Sequence, residues 1–214
     1  MPEFTTHTDR DLETLVREIN DCRICLDTPD AVPLPHAPRP VLRVSSTSRI
    51  VICGQAPGTR VHASGKPFAD PSGVRLRQWM GVNEAEFYNT THIAIVPMGF
   101  CFPGLNAKGA DLPPRRECAR TWRHQVFDLL PRPKLVLLVG FYAQKWHLGE
   151  RCKANLTETV KHWQTYLDGT PKYIPMPHPS WRNNAWLKKN PWFEDEVLPD
   201  MRSRVSEILR DSGR

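Results

Sequence analysis

The chain has 214 residues, 40% of them apolar, with seven tryptophans and 21 scattered prolines; this suffices for one core and predicts a single domain over residues 1–214. The formal net charge of +6 permits a polyanionic partner and is met equally by a solvated basic surface. No run is apolar enough to span a bilayer and no charged-then-apolar leader opens the chain, so a cytoplasmic protein with no membrane partner is expected.

Residues 9–26 carry helical spacing, with Leu12, Leu15, Val16 and Ile19 as an apolar stripe and Thr8 or Asp9 as the cap. A proline-rich connector, DTPDAVPLPHAPRP, follows. Four short apolar runs then read as buried parallel strands, at 49–53, 92–97, 134–139 and 172–175. Helical patterns alternate with them. GVRLRQWM follows the first strand, and RRECARTWRHQVFDLL follows the second, with Cys118, Trp122, Val126 and Leu129 on one face behind a Pro113–Pro114 start. LTETVKHWQTYL precedes the fourth strand, and FEDEVLPDMRSRVSEIL closes the chain with a proline interruption. This alternation predicts an α/β fold, a three-layer α/β/α sandwich around a central, mainly parallel four-stranded sheet. Its site should lie in the loops beyond the carboxyl ends of the strands.

Two of those loops are unusual. GQAPGTRVHASGKPFADPSG, residues 54–73, holds four glycines, three prolines and a single acid, Asp70. Glycine just after a buried strand lets the backbone approach a ligand closely, and the loop lacks the Gly-Lys-Ser/Thr ending of a phosphate-binding P-loop. PMPHPSWRNN, residues 175–184, places His178 between two prolines. A residue before proline is held extended, which stiffens the chain enough to aim an imidazole. Alone, this loop reads equally as a proline-rich surface turn with an ordinary histidine.

The ordered set is more specific than either loop. GQAPG after a strand, GKPF shortly after, and HPS after the last strand resemble the uracil-DNA glycosylase superfamily over residues 22–182. Family-1 members carry a GQDPY-type first motif and an HPS second motif. The iron–sulfur members, families 4 and 5, carry GEAPG- or GLAPA-type first motifs, a following G-R-P-F segment and an HP-containing second motif, and the chain is closest to these. The resemblance implies a monofunctional DNA repair glycosylase, a monomer that flips uracil out of DNA and hydrolyses its N-glycosidic bond. Its partners would be uracil-containing DNA and the abasic-site product. In that reading His178 donates a hydrogen bond to uracil O2 and stabilises the departing anion, and Phe68 stacks on the flipped base. The backbone of Gln55, Ala56, Pro57 and Gly58 lines the uracil and sugar, and Ser180, with Ser64 as a further candidate, holds flanking phosphates.

Three departures from the family pattern bear on mechanism. Family-1 enzymes have Asp at the third position of the first motif, where Ala56 stands, and family-4 enzymes have Glu at the second, where Gln55 stands. Glutamine cannot accept a proton; it can orient a water. Asp70 is the nearest substitute, orienting water or stabilising the cationic sugar, and its bland role is to cap a helix beginning near Ser72. Second, the position from which family-1 and family-4 enzymes read the pyrimidine edge with Asn is Pro97 here, while Asn89 belongs upstream, at the start of the strand. Third, the place of the family-1 intercalating Leu is taken by Arg182, beside Trp181; either could fill the gap left by the flipped base, and Trp181 could equally be a core residue.

Six cysteines in a reducing compartment argue against a disulfide framework. Cys22 and Cys25 have ligand spacing, in CRIC, and Cys101 and Cys118 fall where family-4 and family-5 enzymes place their last two cluster ligands. Four such thiols suit a [4Fe–4S] cluster; a tetrahedral zinc site or plain buried thiols are the alternatives. Cys53 is expected to be an inert core thiol and Cys152 a surface one. The missing motif acids leave a second reading open: a non-catalytic binder of uracil or abasic sites with the same fold.

Overall fold

The computed structural model describes the backbone of residues 3–130 and 132–211, and side chains from Asp11 onward. Its elements in chain order are α1 (Glu3–Asn20), α2 (Ile24–Asp27), β1 (Ile50–Cys53), α3 (Thr59–Ser64), α4 (Pro71–Met80), α5 (Glu84–Tyr88), β2 (Ile93–Ile95), α6 (Arg116–Leu129), β3 (Leu135–Val139), α7 (Phe141–Leu148), α8 (Leu156–Lys161), β4 (Lys172–Met176), α9 (Asn184–Lys189) and α10 (Leu198–Asp211). The four strands form one sheet in the order β2-β1-β3-β4, and every pairing is parallel.

Strand residues alternate between two apolar layers, as the period of two demands. Ile50, Ile52, Leu135, Leu137 and Ile174 face α4, α5, α8 and α10, meeting Leu76, Phe87, Val160 and Met201. Val51, Cys53, Val136 and Leu138 face the other way, onto Leu12, Leu15 and Ile19 of α1, Val126 of α6 and Ala143 of α7. Helices thus cover both faces of the sheet, which is the expected three-layer α/β/α arrangement. Both faces being buried explains why these strands read as continuous apolar runs rather than as alternating ones. The free edge at β2 is covered by Arg43, whose backbone pairs antiparallel with Ile95.

Several boundaries differ from the sequence expectation. α1 starts before Thr8 and Asp9, so neither is its cap, and it stops at Asn20, leaving Cys22 in a turn before α2. Pro113 and Pro114 do not start α6, which begins at Arg116 behind an extended Arg115. The C-terminal proline does not end its helix: a π-helical turn at Phe193–Val197 passes directly into α10, which runs from Leu198 through Pro199 to Asp211.

The strand order places the switch in winding direction between β1 and β3, since the chain moves to β2 on one side and to β3 on the other. Open α/β sheets hold ligands in the crevice at such a point, beyond the carboxyl ends. Gln55 lies in that crevice: a β-carbon on Gly140, just past β3, would stand 3.9 Å from Gln55 Oε1.

Candidate active site

Beyond the carboxyl ends of the strands lies a cleft of about 610 Å³, walled by the loop after β1, the segment 103–112 and the loop after β4. Gln55, Ala56, Pro57, Asp70, His178, Ser180, Trp181 and Arg182 all line it. A smaller pocket of about 90 Å³ opens at its base, bounded by Gly54, Gly58, Phe68, Pro97, Asp111 and His178 among others. The two sequence motifs, some 120 residues apart, therefore meet around one cavity.

The loop after β1 is fixed from below by backbone hydrogen bonds from Met98 N to Gly54 O (2.9 Å) and from Gly99 N to Gln55 O (3.0 Å). It then forms α3, and α3 ends at Gly65 in a left-handed conformation. Phe68 follows with φ of 53°, the single non-glycine residue at positive φ among the described residues. An aromatic residue in that region is strained, and such strain persists where packing over-determines it. Two neighbours do so here. The Phe68 ring packs against Gly54, where a β-carbon would lie 3.4 Å from Cζ. The Phe68 carbonyl lies against Gly73 so closely that no β-carbon fits. The ring stands over the small pocket, 6.4 Å from the His178 ring centroid and 27° from parallel to it.

Asp70 is the N-cap of α4: its Oδ1 accepts from Gly73 N at 3.1 Å and from Ser72 Oγ at 2.5 Å. The helix starts at Pro71, next to Ser72, as the sequence predicts. The capping role and the position in the cleft are both realised by this one side chain. Arg75, one turn along α4, ties the capped helix to the second motif loop, donating to Ser180 O (3.2 Å) and Asn184 Oδ1 (2.8 Å). Nothing in the sequence marks Arg75 for this task, because its partners are more than 100 positions away.

His178 is half-buried between the buried Pro177 and Pro179. Asn183 Nδ2 donates to its carbonyl oxygen at 2.7 Å, closing the loop over a short turn, Trp181–Asn183. Burial pulls the imidazole below its ordinary value of 6.5, the carboxylates of Asp70 and Asp111 work against that pull, and Arg182 adds to it. The ring is therefore neutral at neutral pH, with one N–H to donate. Trp181 is 72% exposed at the cleft mouth, which excludes the core role, and the Arg182 guanidinium lies 5.9 Å from its ring centroid. Arg60 and Arg75 line both the cleft and an adjoining groove of about 570 Å³ that also carries Lys66 and Arg77.

Ser64 is not part of the cleft: it closes α3, its hydroxyl engaged by Val61 O and Lys66 N. Asn89 is the C-cap of α5 and accepts from Thr91, rather than opening the second strand, which begins at Ile93. Pro97 lines the small pocket, and its carbonyl is taken by the buried Arg123 (2.7 Å). Asp111, which no sequence motif marks, faces His178 from the loop before α6.

Cys22, Cys25, Cys101 and Cys118 line one small cavity together with Ile19, Phe100 and Trp122. Trp122 Nε1 donates to Cys22 Sγ and Phe100 N donates to Cys118 Sγ, both at 3.3 Å. Burial pushes the Cys25 thiol up to about 12 and Cys101 up to about 11, and Cys118 upward as well. Such thiols ionise only if a metal takes the charge. Among the described residues no three His, Cys, Asp or Glu side chains form a ready-made site for a metal ion. The four-thiol donor set and its N–H···S bonds fit a cluster. Cys53 is fully buried in β1, as expected, whereas Cys152 is half-buried against Thr159 rather than a surface thiol.

A parallel α/β sheet whose carboxyl-edge pocket pairs an aromatic ring with a proline-held histidine defines a class in which a planar ring can be enclosed and polarised. Residues 43–202 match the family model of the uracil DNA glycosylase superfamily, and the chain belongs to that superfamily. Glycosylase-type hydrolysis and a DNA substrate follow at the level of the superfamily. Among the described residues no helix is long and apolar enough to cross a membrane.

Proposed function

We propose that the protein is a monofunctional uracil-DNA glycosylase of the iron–sulfur type, acting as a single-domain monomer. The observation that carries this reading is the pairing of Phe68 and His178 across the small pocket. A base inside a duplex is out of reach, so the nucleotide swings into the pocket. There Phe68 offers a stacking face, a contact worth roughly 1–3 kcal/mol.

As the glycosidic bond breaks, negative charge grows on the uracil and positive charge on the sugar. Neutral His178 donates its N–H to uracil O2, and a preorganised donor of this kind contributes on the order of 10²–10³ in rate. Because the loop is already rigid, little reorganisation is needed at that moment. Asp70, held by Gly73 and Ser72, places a fixed negative charge for the cationic sugar. Gln55 orients a water, and Ala56, Pro57 and Gly58 keep the backbone close to the sugar side. Ser180 and the basic groove hold flanking phosphates. Trp181 or Arg182 fills the vacated stack, and an arginine there would retain the abasic product.

Cys22, Cys25, Cys101 and Cys118 would hold the [4Fe–4S] cluster, which supplies a structural cross-link between the N-terminal helices and the loop before α6. A second reading, a non-catalytic lesion binder, draws on Gln55 and Ala56 standing where the family acids would be. Excision and binding measured separately separate the two: the glycosylase reading expects His178→Ala to lose turnover while keeping affinity for uracil-containing DNA. Equal binding with no excision by the wild-type chain would favour the binder.

A further inference from the structure

The segment between β2 and α6 folds back on itself at the cleft. Leu112 N donates to Gly104 O (2.9 Å), and Asn106 N donates to Ala110 O (2.8 Å). Asn106 Oδ1 in turn accepts from Lys108 N and Ala110 N, at 2.9 and 3.0 Å. Leu105 and Asp111 form an isolated antiparallel bridge. This small hairpin is set by its own hydrogen bonds, and it presents Asp111 to both the cleft and the small pocket, beside His178.

The placement of the carboxylate is specific. A β-carbon on Gly58 would lie 3.7 Å from Asp111 Oδ2, so the carboxylate stands over the last residue of the first motif loop. Gly58 leaves that space open. The Asp111 carboxylate makes no hydrogen bond or ion pair among the described residues, whereas Asp70 Oδ1 already accepts two donors. Its charge reaches the imidazole, where with Asp70 it opposes the effect of burial on His178. A free carboxylate beside the polarising histidine, over the loop that lacks its acid, has both oxygens available to seat a water.

We propose that Asp111 is a second catalytic carboxylate, the base that holds the attacking water and takes its proton. The inference rests on the glycosylase reading above and adds a residue to it. In the step, the bond from C1′ to uracil N1 breaks and its electron pair leaves on the base. The water oxygen bonds to C1′, one water proton passes to Asp111 and on to solvent, and the uracil anion draws a proton from solvent. One water is consumed, and no other reactant is needed. Asp70 keeps its electrostatic part, and Asp111 supplies the proton acceptor that Gln55 and Ala56 cannot be.

The test uses single-turnover release of uracil from a uracil-containing oligonucleotide by the wild type, Asp111→Ala and Asp111→Asn, with binding to an oligonucleotide carrying the non-cleavable 2′-fluoro-deoxyuridine. General-base catalysis contributes on the order of 10²–10⁴ in rate, so both variants should slow by at least about 10² while binding is unchanged. Added formate, a small carboxylate that fits the space vacated in Asp111→Ala, should restore part of that variant's rate. A wild-type rate in Asp111→Ala overturns the proposal, as does full activity in Asp111→Asn, which keeps shape without charge. No effect of formate on a slow Asp111→Ala also overturns it, because the residue would then serve only the hairpin. A wild-type chain that releases no uracil removes the glycosylase reading and this proposal together; an active wild type with unslowed variants removes this proposal alone.

Discussion

The carbonyl oxygen of Phe68 occupies the place where a side chain on residue 73 would begin: a β-carbon on Gly73 would lie 1.8 Å from it. The contact locks the strained backbone at Phe68 to the first turn of α4. It explains why the first motif continues as far as a glycine inside a helix, where glycine ordinarily costs up to about 1 kcal/mol. Gly73→Ala therefore cannot be absorbed by a rotamer change, because the clash is with backbone. Overpacking of this sort costs about 1–3 kcal/mol or more. The expected result is a lower melting temperature and a loss of uracil excision larger than the loss of stability explains, read from thermal melts and single-turnover rates together. Unchanged values for both would mean that Phe68 is not held in this way.

Asp70 combines a helix cap with a charge in the cleft, and two substitutions separate them. Asparagine caps helices about as well as aspartate, whereas alanine loses about 0.5–2 kcal/mol. Asp70→Asn should leave unfolding stability nearly unchanged and reduce excision by about 10² if the charge supports the cationic sugar. Asp70→Ala should lose both stability and rate. Denaturant titration beside single-turnover kinetics checks the pair; near-normal excision by Asp70→Asn would reduce Asp70 to its cap.

The fold was legible for a simple reason: four apolar strands buried on both faces leave an uninterrupted signal, and helices alternate with them. Phe68, Asp70 and His178 were legible because their motifs are contiguous in sequence. Asp111 and Arg75 were not. Their roles depend on contacts to Gly58, His178 and Ser180 across the fold, and neither residue type is unusual in a polar loop or on a helix. The hairpin set by Asn106 was the available hint, since Asn-Ala-Lys-Gly, residues 106–109, is turn chemistry. Arg123 was hidden for the opposite reason: a charge inside an amphipathic helix pattern reads as solvent-facing, yet it is 1% exposed.

Arg123 also predicts a pH dependence of stability. Its Nη2 lies 2.5 Å from His147 Nε2, and burial, helped by the Arg123 charge, lowers His147 from 6.5 to about 3. The unfolded chain then binds a proton that the folded chain refuses. The stability this group contributes is present above about pH 6.5 and is lost as pH falls toward 3. The slope is up to about 1.4 kcal/mol per pH unit, so moving from pH 7 to pH 5 should remove about 2 kcal/mol through His147. His147→Gln keeps an acceptor for Arg123 without titrating, and should lose correspondingly less over that range in denaturant melts. Equal losses would exclude His147 as the source.

The four clustered cysteines predict bound iron. Protein purified without oxygen should be coloured, with about four irons per chain by elemental analysis, and Cys118→Ser should lose both colour and thermal stability. Colourless, iron-free protein with unaltered folding would reduce Cys22, Cys25, Cys101 and Cys118 to buried thiols.

Base excision is measured most plainly by alkali cleavage of a labelled oligonucleotide holding one uracil, after incubation with the protein. The wild-type chain should leave an alkali-labile abasic site at the uracil and no break before alkali is added, and His178→Ala should be slower by about 10²–10³. A strand that stays intact after alkali, although the protein binds it, would contradict the assignment of Phe68 and His178 to base excision.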